Sequence, residues 1–162
     1  MIKIVNVKSH DENILHNLIQ FYIYEFSKFV PEIRLEEDGA FKPFDLEKYW
    51  EDPNLHAFFI MLDNEYIGFS LVESESTDSP NTILEFFILS KYSGKGFGTK
   101  AATKILRLFP GNWMITQIEA NQPAKDFWES VLSRVAVENL TQRIDENHNS
   151  IQEFYIYPSN KK

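Results

Sequence analysis

An apolar segment from Thr82 to Leu89 runs almost directly into a turn with glycine at positions 94, 96 and 98, and a helical pattern begins at about Thr99. A nearly continuous apolar run of this kind is typical of a central strand that is buried on both faces. Glycine lets a ligand come close to the main chain because it has no Cβ. A helix that begins there presents unpaired N–H groups and the positive end of its dipole, so the segment favours a phosphate or pyrophosphate ligand.

Three other interpretations of this turn compete with that one. A dinucleotide-binding fingerprint needs glycine at its first, third and sixth places, and the sixth place counted from Gly94 is Thr99. A nucleotide P-loop needs Gly-Lys followed by Ser or Thr, whereas Lys95 is followed by Gly96. The spacing therefore disfavours both motifs and leaves a purely structural turn as the remaining alternative.

The charge of the chain is uneven around the same turn. The net charge is −8, from 16 Lys and Arg against 24 Asp and Glu, which disfavours nucleic acid and anionic membranes as partners. The stretch 86–118 contains no acidic residue, and it holds the basic residues Lys91, Lys95, Lys100, Lys104 and Arg107. This basic island indicates a local anionic ligand, with a solvated helix face as the alternative.

Strand and helix patterns alternate along the rest of the chain in the order β-α-(α)-β-β-β-α-β-α-β-β, which predicts one mixed α/β domain over residues 1–162. A capping-box spacing between Ser9 and Glu12 predicts the start of a long first helix that ends before Pro31. The chain has no cysteine, and its longest apolar run, Ala57 to Leu62, is too short to span a bilayer. The polar N-terminal segment does not suit a signal peptide, so we expect a cytoplasmic protein.

Two blocks of sequence resemble a known family. The segment Phe86 to Gly98 resembles the central signature of the GNAT superfamily, the acyl-CoA-dependent N-acetyltransferases, with Gly96 and Gly98 at its glycine places. The segment Asn121 to Trp128 is similar to the family's Asn-x-x-Ala followed four residues later by an aromatic residue. The order of elements also matches, and the stretch Phe109 to Trp113 resembles a subgroup of predicted acetyltransferases without an assigned substrate.

The resemblance implies a fold and a co-substrate. The fold is a central mixed β-sheet that splays between its fourth and fifth strands and is flanked by helices. The co-substrate is acetyl-CoA, bound in the splay, and no metal is expected because the four histidines share no ligand spacing. The cofactor-binding residues that the resemblance implies are Phe86, Phe87 and Ile88 for the pantetheine arm, Ser93, Gly94, Lys95, Gly96, Phe97 and Gly98 for the pyrophosphate, and Asn121 and Trp128 from the last helix.

Two positions depart from the family pattern. Ser93 stands where the family usually has Arg or Gln, so we expect weaker but not absent CoA binding, with Lys91 or Lys95 as compensating charges. Trp128 stands where many relatives place a tyrosine that protonates the departing thiolate. An indole N–H cannot serve as that acid, so either the thiolate leaves unprotonated or another hydroxyl acts, unless Trp128 is there for packing alone.

Glu85 is the candidate catalytic base, because an acetyl-accepting ammonium must first lose a proton. A carboxylate in an apolar strand is costly unless it faces a cleft or is paired. A structural ion pair and a solvated strand end are the alternatives for Glu85. Glu119, near the end of the following strand, is a weaker candidate base.

The function expected from these features is transfer of an acetyl group to a primary amine by direct attack in a ternary complex. Acidic and aromatic residues of the first helix and the following loop, among them Tyr22 and Glu32, suit a small cationic acceptor. One alternative is a non-catalytic acyl-CoA-binding sensor or interaction module, which the departures at Ser93 and Trp128 favour. Another is acyl transfer to protein termini or lysines. Edge strands near the C-terminus are compatible with a homodimer.

Overall fold

The structure is a computed structural model that describes residues 1–159. Its strands and helices follow the predicted order. They are β1 (Ile2–Asn6), α1 (Glu12–Phe26), α2 (Lys48–Glu51), β2 (Leu55–Leu62), β3 (Glu65–Glu73), β4 (Asn81–Ile88), α3 (Phe97–Leu108), β5 (Gly111–Gln117), α4 (Gln122–Arg134), β6 (Glu138–Ile144) and β7 (Ser150–Ile156).

The seven strands form one sheet in the order β1-β2-β3-β4-β5-β7-β6. Every neighbouring pair is antiparallel except β4 and β5, which are parallel. These two strands pair only through Asn81 with Trp113 and Thr82 with Met114, and beyond those residues they separate. The expected mixed sheet, splayed between its fourth and fifth strands, is therefore confirmed.

Side-chain hydrogen bonds close the paired end of the splay. The buried amide of Asn81 accepts a hydrogen bond from the Glu75 N–H (2.6 Å) and donates one to the Phe109 carbonyl (3.1 Å). The Glu75 carboxylate in turn accepts bonds from the main-chain and side-chain N–H groups of Asn112, each at 3.0 Å. The start of β4 is thereby tied to the start of β5, while the far ends of both strands are left apart.

Apolar clusters lie on both faces of the sheet. Consecutive residues of a strand point to opposite faces, and on β3 Val72 joins the cluster beneath α3 and α4 while Leu71 joins the cluster beneath α1. The first cluster centres on Trp113, and the second on Leu15 and Phe69. The sheet is thus a shared middle layer between two sets of helices.

Two expectations from the sequence are wrong in detail. The strand 82–89 was expected to be buried on both faces, but Leu84 is 38% exposed because β5 turns away from β4 at that point. The capping box does not form. A 3₁₀ turn over Ser9–Asp11 precedes α1 and pairs the Glu12 N–H with the Ser9 main-chain carbonyl, so the Ser9 hydroxyl makes no cap bond. The helix ends at Phe26, which agrees with its expected end before Pro31.

Within residues 1–159, helices that are both long enough and apolar enough to cross a membrane are absent.

Gly68 provides a test of the β3–β4 packing. A Cβ at this position would overlap the main-chain carbonyl oxygen of Phe87 on the neighbouring strand, and strand backbones cannot give way as a flexible side chain can. We expect Gly68→Ala to lower the free energy of unfolding by about 3 kcal/mol in denaturant titrations. Gly39→Ala is the control, since no atom lies within 4 Å of its Cβ position and only its positive φ of 79° opposes alanine. That variant should lose about 1 kcal/mol, and equal losses would contradict the overlap.

Candidate active site

A cavity of about 760 Å³ lies where β4 and β5 separate. Residues 83–86 of β4 and 115–118 from β5 onward form two of its walls, and α1 with the loop 32–44 forms a third. Glu85 and Phe86 both line it although consecutive strand residues point to opposite faces of a sheet. The cavity therefore passes through the gap between the strands and connects the two faces.

The main-chain edge of β4 is unpaired along this gap. The Leu89 N–H donates to the Ile67 carbonyl (2.8 Å), and the register with β3 continues without a shift from Ile88 back to Glu85. Because antiparallel strands alternate the direction of their main-chain groups, those of Phe87 point to β3 and those of Phe86 and Ile88 point to the gap. The predicted trio is thus divided, with two members facing the gap and one committed to the sheet.

The glycine turn lies at the end of β4, outside the cavity. Gly94 and Gly96 have φ of 74° and 83°, and no atom lies within 4 Å of the Cβ position of either residue, so backbone conformation rather than packing calls for glycine there. Gly96 is the N-cap of α3 and no side chain caps the helix, which leaves its first N–H groups available to a ligand. Lys95 and Phe97 adjoin these groups.

Ser93 is occupied differently from the rest of the turn. Its N–H and its hydroxyl both donate to the Ser90 carbonyl, at 3.1 and 2.9 Å. The N–H groups that the turn offers to an anion therefore begin after Ser93, although the sequence analysis included Ser93 among them.

The start of α3 packs tightly against α4. A Cβ at Gly98 would lie 3.1 Å from the Phe127 ring, which itself stacks on Phe86 with 5.3 Å between centroids. Trp128 is buried, packs edge-on against Phe86 at 5.4 Å and also lines the cavity. Trp128 thus serves packing and forms part of the cavity wall at the same time.

Asn121 also has a structural role that the sequence analysis missed. It is the N-cap of α4, where its side-chain oxygen accepts the Ala124 N–H at 3.1 Å. It lines the cavity as well. The signal was present in the sequence, because Asn followed by Gln122 and Pro123 matches a helix N-terminus with proline in the first turn.

Glu85 is a partly buried carboxylate whose partner is a phenol. The Tyr22 hydroxyl, on α1, donates to Glu85 Oε2. Burial raises the pKa of Glu85 to about 6, and the hydrogen bond from Tyr22 opposes that rise. Burial and the charge of Glu85 together raise the pKa of Tyr22 well above its usual value. Glu85 forms no ion pair among the described residues, and it lines the cavity rather than an exposed strand end. Glu119, the weaker candidate base, is exposed and does not line the cavity.

In the third wall of the cavity, the Gln20 side chain holds the loop 32–44 to α1. Gln20 Nε2 donates to the Phe41 carbonyl and Gln20 Oε1 accepts the Phe41 N–H, both at 2.9 Å. Phe41 also bridges to Leu35, so residues 35–41 form a small hairpin against the helix. The loop contributes four exposed charged residues to the cavity lining: Glu32, Arg34, Glu36 and Lys42.

Sequence reasoning did not find two of the polar contacts. Gln117 and Gln152 are buried and exchange two amide hydrogen bonds of 2.7 and 2.9 Å between β5 and β7. The contact of Tyr22 with Glu85 had a partial signal, because a tyrosine on the apolar face of a helix needs a partner for its hydroxyl. Within residues 1–159, groups of three or more side chains suited to hold a metal ion are absent.

Most of the chain matches one known protein family. The model of the acetyltransferase (GNAT) family matches residues 18–132, which is most of the chain. The chain therefore belongs to the GNAT family, and the protein is an acetyltransferase that uses acetyl-CoA as acyl donor. A comparison with curated protein sequences finds no match.

Solved structures share the fold at low sequence identity. An acetyltransferase from Thermus thermophilus has a TM-score of 0.67 and 15% identity, over 96% of this chain and 97% of that one. The aminoglycoside acetyltransferase AAC(6')-Ib in complex with coenzyme A has a TM-score of 0.65 and 13% identity, over 96% and 95%. The PaiA N-acetyltransferase from Thermoplasma acidophilum in complex with coenzyme A has a TM-score of 0.64 and 13% identity, over 96% and 99%.

The raised pKa of Glu85 gives a stability test. Glu85 binds its proton more tightly in the folded protein, where its pKa is about 6, than at its ordinary value of 4.5. Its contribution to stability is therefore present below pH 4.5 and is lost as the pH rises past 6. Glu85→Gln is neutral at every pH and avoids this loss. The variant's free energy of unfolding should gain about 2 kcal/mol relative to wild type between pH 4.5 and 7.5, as followed by urea titration.

Glu119→Gln is the matched control for that titration, because Glu119 is an exposed carboxylate outside the cavity. The difference in free energy of unfolding between Glu119→Gln and wild type should stay constant over the same pH range. Parallel curves for wild type and Glu85→Gln would show that Glu85 is not desolvated.

Proposed function

We propose that this acetyltransferase transfers the acetyl group of acetyl-CoA to a primary amine of a small cationic molecule, by direct attack within a ternary complex. The observation that carries the proposal is the cavity through the sheet, which places the partly buried carboxylate of Glu85 beside the unpaired main-chain edge of β4. One side of that edge leads to the glycine turn, and the other leads to the charged loop 32–44.

The residues present fit acetyl-CoA on three counts. Main-chain groups of Phe86 and Ile88 lack a strand partner and can bond the amides of the pantetheine arm. The uncapped N-terminus of α3, after the left-handed Gly96, suits the pyrophosphate. The stretch 86–118 carries five basic residues and no acidic one. Phe87 and Ser93 are left out of the direct contacts because their main-chain groups are already directed to β3 and to Ser90.

The chemistry follows from what these residues hold in place. Bound acetyl-CoA supplies its acetyl group as an activated thioester. An N–H at the β4 edge, fixed before the reaction, stabilises negative charge that develops on the carbonyl oxygen. Glu85 removes the proton that the acceptor amine must lose, and its pKa of about 6 keeps it ionised and basic near neutral pH. Trp128 offers no titratable proton, so this chain assigns no acid to the leaving thiolate at that position.

The acceptor side favours a cation. Residues 31–52 carry eight acidic side chains against three basic ones. In the cavity lining itself, Glu32 and Glu36 are balanced by Arg34 and Lys42. Glu85 on β4 adds the third acidic residue, so the lining keeps a small acidic excess. Aromatic rings of Phe41 and Phe44 line it too and suit cation–π contacts. The structural neighbour that acts on aminoglycosides is consistent with an acceptor of several amines, which would bind along such a wall.

A second candidate function is acyl-CoA binding without turnover. It is favoured by Trp128, which cannot replace a proton-donating tyrosine, and by Ser93, which withholds its N–H from the ligand. Measurement of turnover separates the two functions, because both require acetyl-CoA binding and only one requires the base.

The proposed activity is tested by incubating the protein with acetyl-CoA and a panel of amines while following release of free thiol. We expect thiol release with amines that carry more than one positive charge, and a fall in kcat of about 100-fold in Glu85→Gln. Glu119→Gln should retain wild-type rates. A thermal shift with acetyl-CoA and no thiol release with any amine would favour the binding-only function.

Ser93→Arg tests the departure from the family pattern. A guanidinium beside the uncapped N-terminus of α3 should tighten CoA binding about fivefold in titration calorimetry at low salt, since one added charge contact contributes about 1 kcal/mol. Ser133→Arg is the matched control, because the Ser133 hydroxyl makes the same kind of exposed bond, to the Ser130 carbonyl, on α4. Equal affinities for both variants would remove Ser93 as the cause of weak binding.

A further inference from the structure

We propose that Tyr22 is the positioning residue for the base. Its hydroxyl holds Glu85 by one carboxylate oxygen, so that the other oxygen is presented to the acceptor amine. The proposal rests on the proposed function, in which Glu85 accepts the proton of the amine. It assigns a catalytic consequence to α1, which the family motifs on β4, α3 and α4 do not include.

The contact joins two distant parts of the chain. Tyr22 lies on α1 and Glu85 on β4, 63 residues apart, and both line the cavity. The Tyr22 ring is itself fixed by four aromatic rings with centroids 5.6 to 6.4 Å away, those of Phe26, Phe44, Phe69 and Phe87. The position of the hydroxyl is therefore set by packing against α1, the loop 32–44 and the strands β3 and β4, and the hydroxyl in turn positions the carboxylate.

One hydrogen bond leaves the carboxylate with a defined free oxygen. The Tyr22 hydroxyl is a single donor, and it is bonded to Oε2, so Oε1 is the oxygen available to a substrate proton. From the neighbouring strand β3, the Ser70 hydroxyl donates to the main-chain carbonyl of Glu85 at 2.8 Å and so holds the backbone beneath the side chain. Both ends of Glu85 are thus anchored before an acceptor arrives.

The groups around Glu85 leave Tyr22 as its stabilising side chain. Tyr49, on α2, makes no hydrogen bond to Glu85. Its burial and the negative charge of Glu85 together raise the pKa of Tyr49 to about 12. The charge of Glu73, on β3, also raises the pKa of Tyr49. In the described part of the chain, no Lys or Arg forms a salt bridge with Glu85. The hydrogen bond from Tyr22 therefore lowers the pKa of Glu85 and partly offsets the rise that burial causes.

The same packing links the base to the acceptor wall. Phe44 lines the cavity from the loop and meets the Tyr22 ring edge-on, while Phe26 lines it from α1 one turn further along. An acceptor that packs against the rings of Phe26 and Phe44 therefore contacts two of the residues that hold the Tyr22 ring in place. Binding of the acceptor and placement of Oε1 are consequently coupled through Tyr22.

The direct test is the titration of Glu85 in ¹³C-labelled protein. The side-chain carboxyl carbon of Glu85 is followed by NMR against pH and is assigned by its disappearance in Glu85→Gln. Tyr22→Phe keeps the ring and its aromatic neighbours and removes only the donor. We expect the pKa of Glu85 to rise by about one unit in Tyr22→Phe, because the hydrogen bond favours the ionised form. Tyr24→Phe is the control on the same helix, since Tyr24 is 65% exposed, and it should leave that pKa unchanged.

The kinetic arm measures kcat/KM against pH with an amine that releases thiol. In Tyr22→Phe the acid limb should move up by the same one unit, so that kcat/KM falls about tenfold below pH 6 and recovers in part at alkaline pH. The affinity for acetyl-CoA should equal that of wild type. A packing role alone would shift neither the NMR titration nor the acid limb, because phenylalanine retains the ring.

The outcomes distinguish this proposal from the one on which it rests. An unchanged Glu85 titration in Tyr22→Phe overturns the positioning role, and the proposed function stands if Glu85→Gln still loses activity. A shifted titration with unchanged rates in both Tyr22→Phe and Glu85→Gln overturns Glu85 as the base and the positioning role with it. A shift in both the titration and the acid limb supports the proposal.

Discussion

The parallel contact between β4 and β5 is limited to two residue pairs, and the rest of the molecule depends on that limit. Hydrogen bonds of Asn81 and Glu75 close one end of the contact, while the other end opens into the cavity. An open strand edge inside a fold is costly, because unpaired N–H and C=O groups need partners. In this protein the edge at Phe86 and Ile88 is left open to a ligand that can supply those partners, and this is the reason that we propose it as the binding site for the pantetheine arm.

Partial burial of a carboxylate is the second constraint. Glu85 lies between apolar strands and the aromatic rings around Tyr22, an environment that raises its pKa towards neutrality. The same burial that lowers stability above pH 6 makes the group a stronger base than an exposed glutamate. The burial that makes Glu85 more basic therefore also destabilises the folded protein above pH 6. The hydrogen bond from Tyr22 reduces both effects, because it lowers the pKa of Glu85.

Much of the fold was predictable because it depends on local patterns. The strand 82–89, the glycine turn and the helices after it were assigned within a few residues, since alternation, glycine and proline act through neighbours in the chain. Ser9 shows where this reasoning failed, because a 3₁₀ turn used its carbonyl and the capping box did not form. Leu84 was expected to be buried, but its exposure is decided by β5, which lies far along the chain.

The class of fold, the family motifs and the residue types of the candidate site follow from the sequence alone, because they are carried by spacing along one chain. Which of these groups meet depends on the tertiary packing. It joined Tyr22 to Glu85, directed the main chain of Phe86 and not Phe87 to the gap, and committed Ser93 to its own turn. The physical reason is that hydrogen-bond partners are chosen by proximity after packing, and a helix and a strand 63 residues apart leave no periodic signal of their contact.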